Sequence, residues 1–275
     1  MRQVLLIAGK EVRDGLRNRW VVAVTLLLAL FALTLAFLGA APTGAVKVGA
    51  LAVTIVSLSS LSIFLLPLIA LLLSYDAIVG EQERGTLALL LAYPVARWQV
   101  MLGKFAGHVV ILGIATALGY GAAGAAVALA SPEPGEAWGA FAAMVGSSVL
   151  LGAVFVSLGY LVSVLVRDRG TAGGIAIGVW LLFVIVYDMG LLGVLVADQG
   201  RVLDAGAVNW LLLLNPADAY RLFNLAGTAN VSAFSGMAGL AGQAQSGPAA
   251  LLAALVLWTV VPLGAASLMF SRRQI

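Results

Sequence analysis

The chain has 275 residues, of which 62% are hydrophobic and only 10% are charged, and its net charge is +3. Soluble domains carry about 25% charged residues, and apolar runs of 18 or more residues are typical of membrane-spanning helices. The composition therefore predicts an all-α membrane protein that crosses the bilayer several times, and it excludes a membrane β-barrel, whose segments of about 10 residues alternate in polarity.

The first predicted element, residues 1–19, is an amphipathic helix that lies in the membrane interface. Apolar residues recur in it at helical spacing, and charged residues fill most of the other positions. The apolar positions are Val4, Leu5, Ala8, Val12 and Leu16. A cleaved signal peptide is disfavoured, because the basic region contains Glu11 and Asp14 and the apolar run that follows is too long.

Six apolar runs are long enough to span a membrane, since about 20 helical residues cross about 30 Å of hydrocarbon. The predicted spans are 20–41, 51–79, 105–130, 140–166, 171–197 and 248–270. Twelve of the fifteen Lys and Arg residues lie before span one, after span six, or between spans two and three and spans four and five. This asymmetry places both termini in the cytoplasm, and it explains the basic charge without a nucleic acid partner.

The connection between the second and third spans, residues 80–104, is cytoplasmic in this topology. Its polar cluster consists of Glu81, Glu83, Arg84, Gly85 and Thr86. Leu87 to Leu91 supply an apolar face, and Pro94 ends the segment because the residue before a proline is disfavoured in helical geometry. From the residues alone the segment is either a polar connection between two spans or a surface that receives a partner.

The longest connection, residues 198–247 between the fifth and sixth spans, lies on the outer side. Leu211 to Leu214 form a run too short to cross the bilayer, so we predict a segment that dips partly into the membrane. Pro216 favours a helix start directly afterwards, and this second helix is expected to be interfacial. Residues 227–247 are small and predict a flexible loop.

Two carboxylates are candidates for a functional site, because a charge at membrane depth is costly. Asp76 lies at the inner end of the second span and is either intramembrane or interfacial, whereas Asp188 lies in the outer half of the fifth span. His108 is the only histidine and is interpreted as a packed residue. With no cysteine and six scattered methionines, the sequence predicts no metal site.

No catalytic signature is found in the sequence. It lacks the GxxxxGK[ST] loop that cradles nucleotide phosphates, and its serines have no histidine partner at helical spacing. We therefore expect a non-catalytic subunit that binds no cofactor itself.

The whole layout resembles the permease subunits of type-2 ABC exporters. An amphipathic helix with Lys10 and Glu11 precedes six spans, an acidic stretch follows the second span, and a long outer segment precedes the last. In that family an elbow helix braces the inner side, and a coupling helix between spans two and three docks on the ATPase. The matching residues are Lys10, Glu11, Glu81, Glu83, Arg84, Gly85 and Thr86. The resemblance implies a homodimer in membrane lipid with two ATPase subunits, which hold the ATP and magnesium.

Four stretches are similar to the membrane subunits of the bacterial transporters that mature nitrous oxide reductase in denitrification. They are AGKEVRDGLRNRW, LIALLLSYDAIVGEQERGTLALLLAYPVAR, LGKFAGH and LLLLNPADAYRLFNLAG. This resemblance implies the bacterial inner membrane and a periplasmic β-helical copper-handling partner. The partner is expected to dock on the outer side, at Asn215, Pro216, Asp218, Tyr220, Arg221 and Asn224.

Several mechanisms stay open at this point. The subunit conveys the ATPase stroke to the periplasmic partner, which needs only rigid helices and two docking surfaces, or it exports a small molecule such as a sulfur species. We favour the first, and copper passage through the spans ranks third because no ligand lining is predicted. A secondary transporter is the main rival class, although the inverted repeats typical of that class are not evident.

Overall fold

The computed structural model describes residues 1–39, 50–130, 135–198, 204–226 and 246–272. Within these ranges every regular element is a helix, and no strand occurs. In chain order the helices are α1 (Arg2–Arg17), α2 (Arg19–Gly39), α3 (Ala50–Ser74), α4 (Val79–Glu83), α5 (Thr86–Leu91), α6 (Arg97–Ala130), α7 (Gly135–Leu165), α8 (Arg169–Leu181), α9 (Tyr187–Asp198), α10 (Ala205–Leu213), α11 (Pro216–Ala226) and α12 (Pro248–Arg272). One π-helical turn, Leu182–Val186, joins α8 to α9.

Five helical units are long and apolar enough to cross a membrane: Ala50–Glu83, Arg97–Ala130, Ala137–Leu165, Arg169–Asp198 and Pro248–Arg272. A sixth is obtained when α1 and α2, which meet at 69°, are counted as one bent span. The predicted all-α, multi-span fold class is therefore confirmed. The roles of α1 as an elbow and of α4 and α5 as a coupling helix stay predictions, and nearly all of the predicted loop at 227–247 lies outside the described residues.

Helix α6 begins at Arg97, whereas the sequence predicted the third span from residue 105. The start is fixed locally: the Ala96 backbone N–H donates to Gln99 Oε1 at 3.0 Å, the reciprocal contact of a capping box. Residues 97–104 are therefore the first turns of a 34-residue helix and not part of a separate connection.

Both termini lie at one end of the bundle, which is called the basic end below. The Arg97 guanidinium donates to the carbonyls of Phe270 at 3.0 Å and Ser271 at 3.2 Å, so the start of α6 caps the end of α12. Gln3 of α1 donates to the Pro94 carbonyl at 2.9 Å. The unit formed by α8 and α9 starts at the basic end and crosses the bundle. Helices α10 and α11 follow it and therefore lie at the opposite end.

Helix α7 lies at the centre of the bundle. Residues 151–160 are all buried, and the core around them draws on α3, α6, α11 and α12. In contrast, most side chains of α8 and α9 are exposed within this chain. The span in α7 and the span formed by α8 and α9 are both strongly apolar in sequence. They differ in burial because of their positions in the bundle.

Helix α1 packs on α6 along a row of glycines. A Cβ at Gly103 would lie 2.7 Å from Ile7 Cβ, and one at Gly107 would lie 2.5 Å from Glu11 Cβ. These two positions, one turn apart, let the α1 backbone come close enough for its inward side chains to reach into α6.

Replacing Gly107 with alanine is expected to lower the free energy of unfolding by about 1–3 kcal/mol, because α1 must move away from α6 to admit the methyl group. Thermal unfolding in detergent measures the effect. Gly121→Ala is the matched control: it is in the same helix, and nothing lies within 4 Å of its Cβ position. That substitution should be neutral or stabilise by up to about 1 kcal/mol through helix propensity. Equal effects at the two positions would contradict the packing argument.

Candidate functional site

Lys104 is the centre of a charged cluster at the basic end. The side chain extends from α6 and is buried, and its Nζ lies 2.8 Å from Glu11 Oε1 of α1 and 2.7 Å from Glu81 Oε1 of α4. One ammonium group thus joins three helices. Separating the partners of a buried ion pair leaves uncompensated buried charges, which is costly. The Lys104 contact therefore holds these three helices in their relative positions.

The charge of Lys104 favours the ionised form of Glu11. Burial alone raises the pKa of Glu11, but the charge and hydrogen bond of Lys104 outweigh it and hold that pKa below the ordinary value of 4.5. Lys10 points outward and bonds Asp14 at 2.9 Å, and this hydrogen bond raises the pKa of Lys10. Of the two α1 residues predicted for ATPase coupling, Glu11 therefore faces the helices and Lys10 faces outward.

His108 extends the cluster beneath α1. Its Nδ1 lies 2.9 Å from the Tyr160 hydroxyl of α7, and its Nε2 lies 3.8 Å from Glu11 Oε2. The histidine is buried and packed between helices. No group of three or more His, Cys, Asp or Glu residues suited to a metal ion occurs in the described part of the chain.

The acidic motif after α3 is divided between inward and outward positions. Glu81 binds Lys104, and Glu83 Oε1 accepts a hydrogen bond from the Arg169 backbone N–H of α8 at 2.8 Å. Gly85 has a φ of +71°, a conformation that glycine adopts without strain, and it turns the chain from α4 into α5. Arg84, Gly85 and Thr86 are exposed.

Helix α5 is anchored by one leucine and presents another. Leu87 is buried, whereas Leu89 is 69% exposed. Because these side chains are only two positions apart, they point to different faces of the helix. The predicted apolar face of Leu87 to Leu91 is therefore divided, with one part holding α5 in place and the other available to a partner.

Asp76 belongs to an ion pair at the basic end. It lies two residues after the end of α3, and its Oδ2 lies 2.7 Å from the Arg169 guanidinium. Ser163 Oγ of α7 accepts hydrogen bonds from the backbone N–H groups of Ile78 and Val79 at 3.0 and 3.1 Å. These contacts fix the segment between α3 and α4 against α7 and α8.

A second charged cluster lies in the outer half of the bundle. Arg221 of α11 lies 2.8 Å from Asp188 Oδ2 of α9 through one terminal nitrogen and 2.8 Å from Asp218 Oδ1 through the other. Asn215 Nδ2 donates to Asp218 Oδ2 at 2.9 Å and to the Phe183 carbonyl in the π-helical turn at 3.0 Å. The predicted intramembrane carboxylate Asp188 is thus neutralised by a residue from the outer segment.

The sequence around α11 explains how this geometry forms. Asn215 is the N-cap, since its Oδ1 accepts the Ala217 backbone N–H at 3.0 Å. Pro216 is the first helical residue, where the missing N–H costs nothing, and this confirms the predicted helix start. Asp218 and Arg221 then lie one turn apart on the same face.

Hydroxyl groups attach α11 to the bundle. The Tyr220 hydroxyl lies 2.8 Å from Ser148 Oγ of α7, which lies 3.5 Å from Ser62 Oγ of α3, and Ser62 lies 2.7 Å from the Tyr120 hydroxyl of α6. Asn224 Nδ2 donates to Ser147 Oγ at 3.1 Å. These contacts run through four helices in the buried interior.

The residues predicted for docking the outer partner are mostly interior. Asn215, Pro216, Asp218, Tyr220 and Asn224 are buried, and Arg221 is half-buried. In this conformation they fix α11 in place. Among the described residues of this outer segment, the exposed large side chains are Trp210 and Leu214. Docking at the predicted residues stays a prediction.

Comparison with known proteins identifies the family. Residues 5–275 match the family described as ABC-2 family transporter protein. The chain belongs to the ABC-2 transporter family. A probable ABC transporter permease protein NosY of Pseudomonas aeruginosa is 48% identical over the full length of both chains. A protein of the same description from Stutzerimonas stutzeri is 47% identical over 99% of each. The predicted assignment as an ABC transporter permease subunit is therefore confirmed, and with it the membrane location.

The two charged clusters lie in different parts of this ABC-2 permease. One lies at the basic end around Lys104, and the other lies in the outer half around Arg221. Sequence reasoning treated Lys104 and Arg169 only as markers of orientation, and it assigned Arg221 to a docking surface and not to an ion pair. The spacing of Gly103 and Gly107 around Lys104 was the available signal, because two small residues one turn apart indicate close helix packing.

Proposed function

We propose that this permease subunit conveys ATP-driven movement from an ATPase at the basic end to a periplasmic copper-handling protein at the outer end, in the maturation of nitrous oxide reductase. The observation that carries the proposal is the Lys104 contact with Glu11 and Glu81. It places the exposed surface of Arg84 to Thr86 and Leu89 on a base shared by α1, α4 and α6. The basic end then faces the cytoplasm, as the positive-inside rule predicts.

The proposed stroke requires rigid elements that cross the whole membrane. Two copies of the chain bind two ATPase subunits, whose nucleotide sites close on ATP and magnesium. Helix α6 has 34 residues and is therefore about 50 Å long, enough to carry a tilt from one surface to the other. Closure of the ATPases pulls on α4 and α5, and the helices behind them move as rigid bodies between two arrangements.

At the outer end we propose that α11 receives this movement. The Tyr220 to Ser148 hydrogen bond and the Arg221 ion pairs connect α11 to α7 and α9. The outer partner then contacts the segment through its exposed side chains, Trp210 and Leu214, while the interior residues from Asn215 to Asn224 hold the segment in register. This arrangement needs two docking surfaces and no continuous pore.

Export of a small molecule such as a sulfur species is the second candidate, and one observation favours it. A half-open recess of about 130 Å³ lies between α3 and α11, lined by Val56, Ser59, Ser60, Ile63, Arg221, Asn224 and Leu225. Ser59 Oγ is buried there and has no hydrogen-bond partner among the described residues. A solute of a few atoms fits this volume, since one water needs only about 10–15 Å³ of volume open to its centre. Membership of the ABC-2 family leaves no reason to keep the secondary-transporter alternative.

Replacing Leu89 with aspartate is expected to abolish ATPase docking, because the exposed apolar side chain of α5 becomes a charge at the proposed interface. Co-purification of the ATPase and its nucleotide turnover in the complex should both fall at least about tenfold, the equivalent of about 1.4 kcal/mol at an interface. Leu129→Asp is the control, since Leu129 is 90% exposed at the opposite end of α6. Wild-type docking by the Leu89 variant would remove this surface from the proposal. Reversal of Glu81 is a poorer probe, because it also breaks the Lys104 contact.

A further inference from the structure

The outward side of α1 carries positive charge that the chain itself does not neutralise. Arg2, Arg13 and Arg17 of α1, and Arg19 at the start of α2, are all exposed. Within the described ranges none of these guanidinium groups lies within 4 Å of a carboxylate oxygen. The nearby Asp14 is already bonded to Lys10 at 2.9 Å and receives only longer-range attraction from Arg13 and Arg17, and Glu11 faces Lys104.

Large apolar side chains are interleaved with these arginines. Leu5 is 72% exposed, Leu6 is 65% exposed and Leu16 is 49% exposed. Arg2, Leu6, Arg13 and Arg17 follow helical spacing and share one stripe on the face away from α6. Because α1 meets α2 at 69°, a membrane-crossing α2 places α1 close to the membrane plane. Both the charges and the leucines then face the headgroup region.

We propose that α1 is a binding site for anionic phospholipids. A phosphodiester headgroup accepts the planar, two-pronged hydrogen bonds that guanidinium groups make, and acyl chains cover Leu5, Leu6 and Leu16. An acidic protein would satisfy the arginines but leave the leucines facing water. A second copy of this face would bring arginines against arginines. Of these three partners, the anionic lipid is the one that matches both the arginines and the leucines of this face.

This lipid site controls the position of the basic-end cluster. The inward side of α1 carries Glu11, which holds Lys104, and Lys104 in turn holds Glu81 next to the exposed turn at Gly85. Anionic lipid presses α1 onto α6 and so keeps the cluster assembled. The consequence for ATPase coupling rests on the proposed function, whereas lipid binding itself does not.

The test compares lipid retention by the intact chain purified in mild detergent with phosphatidylglycerol or phosphatidylcholine, read by native mass spectrometry. Each arginine near an anionic surface contributes about fivefold, so Arg13→Gln with Arg17→Gln should reduce the preference for phosphatidylglycerol by about 30-fold. Arg167→Gln with Arg272→Gln removes the same charge from exposed positions at the same end and should leave the preference within about twofold. Equal losses in the two double variants would reduce the effect to net charge and overturn the site. Unchanged phosphatidylglycerol retention in the α1 variant would also overturn it.

A second measurement separates lipid control of α1 from misfolding. The chain has no cysteine, so spin labels can be placed at Gly9→Cys, where nothing lies within 4 Å, and at exposed Thr86→Cys. In nanodiscs of phosphatidylglycerol the distance distribution should be narrow, and in phosphatidylcholine it should broaden. The α1 double variant should be broad in both lipids while keeping its helical content. A narrow distribution in both lipids overturns the proposed control. If the double variant keeps its lipid but loses an acidic protein partner, the stripe is a protein-docking face and the lipid proposal falls.

Discussion

Replacing Lys104 with methionine is expected to lower the free energy of unfolding by about 3 kcal/mol, because Glu11 and Glu81 are left as buried carboxylates without a counter-charge. The side chains of these two glutamates are only 13% and 16% exposed, so water cannot take over the role of the ammonium group. Methionine keeps the length and the apolar stem of lysine, so packing against α1 changes little. Thermal unfolding of the detergent-solubilised chain measures the loss.

The Lys104→Met substitution should impair ATPase coupling more than it impairs stability. Without Lys104, α1 and α4 repel each other, and the surface around Arg84 and Leu89 no longer rests on a fixed base. We expect the ATPase to bind but hydrolysis to become independent of the rest of the complex, so that the proposed role in reductase maturation is lost.

A triple variant gives the decisive control for this prediction. Combining Lys104→Met with Glu11→Gln and Glu81→Gln removes the stranded charges, and it should recover most of the lost stability, because neutral groups are far cheaper to bury than ions. It should not recover coupling, since the link between the three helices is still absent. If the single substitution changes stability by less than about 1 kcal/mol, the cluster behaves like an ordinary surface ion pair and the rigid-base argument is wrong.

Much of the fold was accessible from the sequence because its causes are local. A run of apolar residues sets the length of a span, and the Asn215-Pro216 dipeptide sets the start of α11 through contacts within two residues. Helix α6 also begins before the predicted span, and the cause is again local. Its signal, a capping contact between Ala96 and Gln99, is weak in a sequence where Arg97 and Lys104 indicated a polar connection.

The candidate sites were less accessible because their partners are distant in sequence. Lys104 and Glu11 are 93 residues apart, and Arg221 and Asp188 are 33 residues apart. The sequence gives each of these side chains a position along the membrane normal, and it cannot show that two of them share one hydrogen bond. For the same reason the family resemblance placed Glu81 and Glu83 together at a docking surface, whereas packing turns Glu81 toward Lys104 and Glu83 toward α8.

The outer cluster around Arg221 depends on the shape of the guanidinium group as well as on its charge. One terminal nitrogen lies 2.8 Å from Asp218 and the other lies 2.8 Å from Asp188, so a single planar fork spans α9 and α11. Lysine has one nitrogen and cannot reproduce both contacts with the same geometry. Asp218 is 1% exposed at its side chain, so removing Arg221 leaves a buried carboxylate without its counter-charge.

Replacing Arg221 with methionine is therefore expected to lower the free energy of unfolding by about 3–5 kcal/mol, and to release α11 from α9 before the rest of the bundle unfolds. Hydrogen exchange of the α11 amides measures the local release, and thermal unfolding measures the total. The stability of the Arg221→Lys variant should lie between those of the wild type and the methionine variant, because lysine keeps the charge but makes only one of the two contacts. Adding Asp188→Asn and Asp218→Asn to the methionine variant should restore stability but not the proposed role in reductase maturation, since α11 stays disconnected from α9. Normal exchange of α11 in the methionine variant would show that the Tyr220 to Ser148 contact alone holds this helix, and that the ion pairs are dispensable.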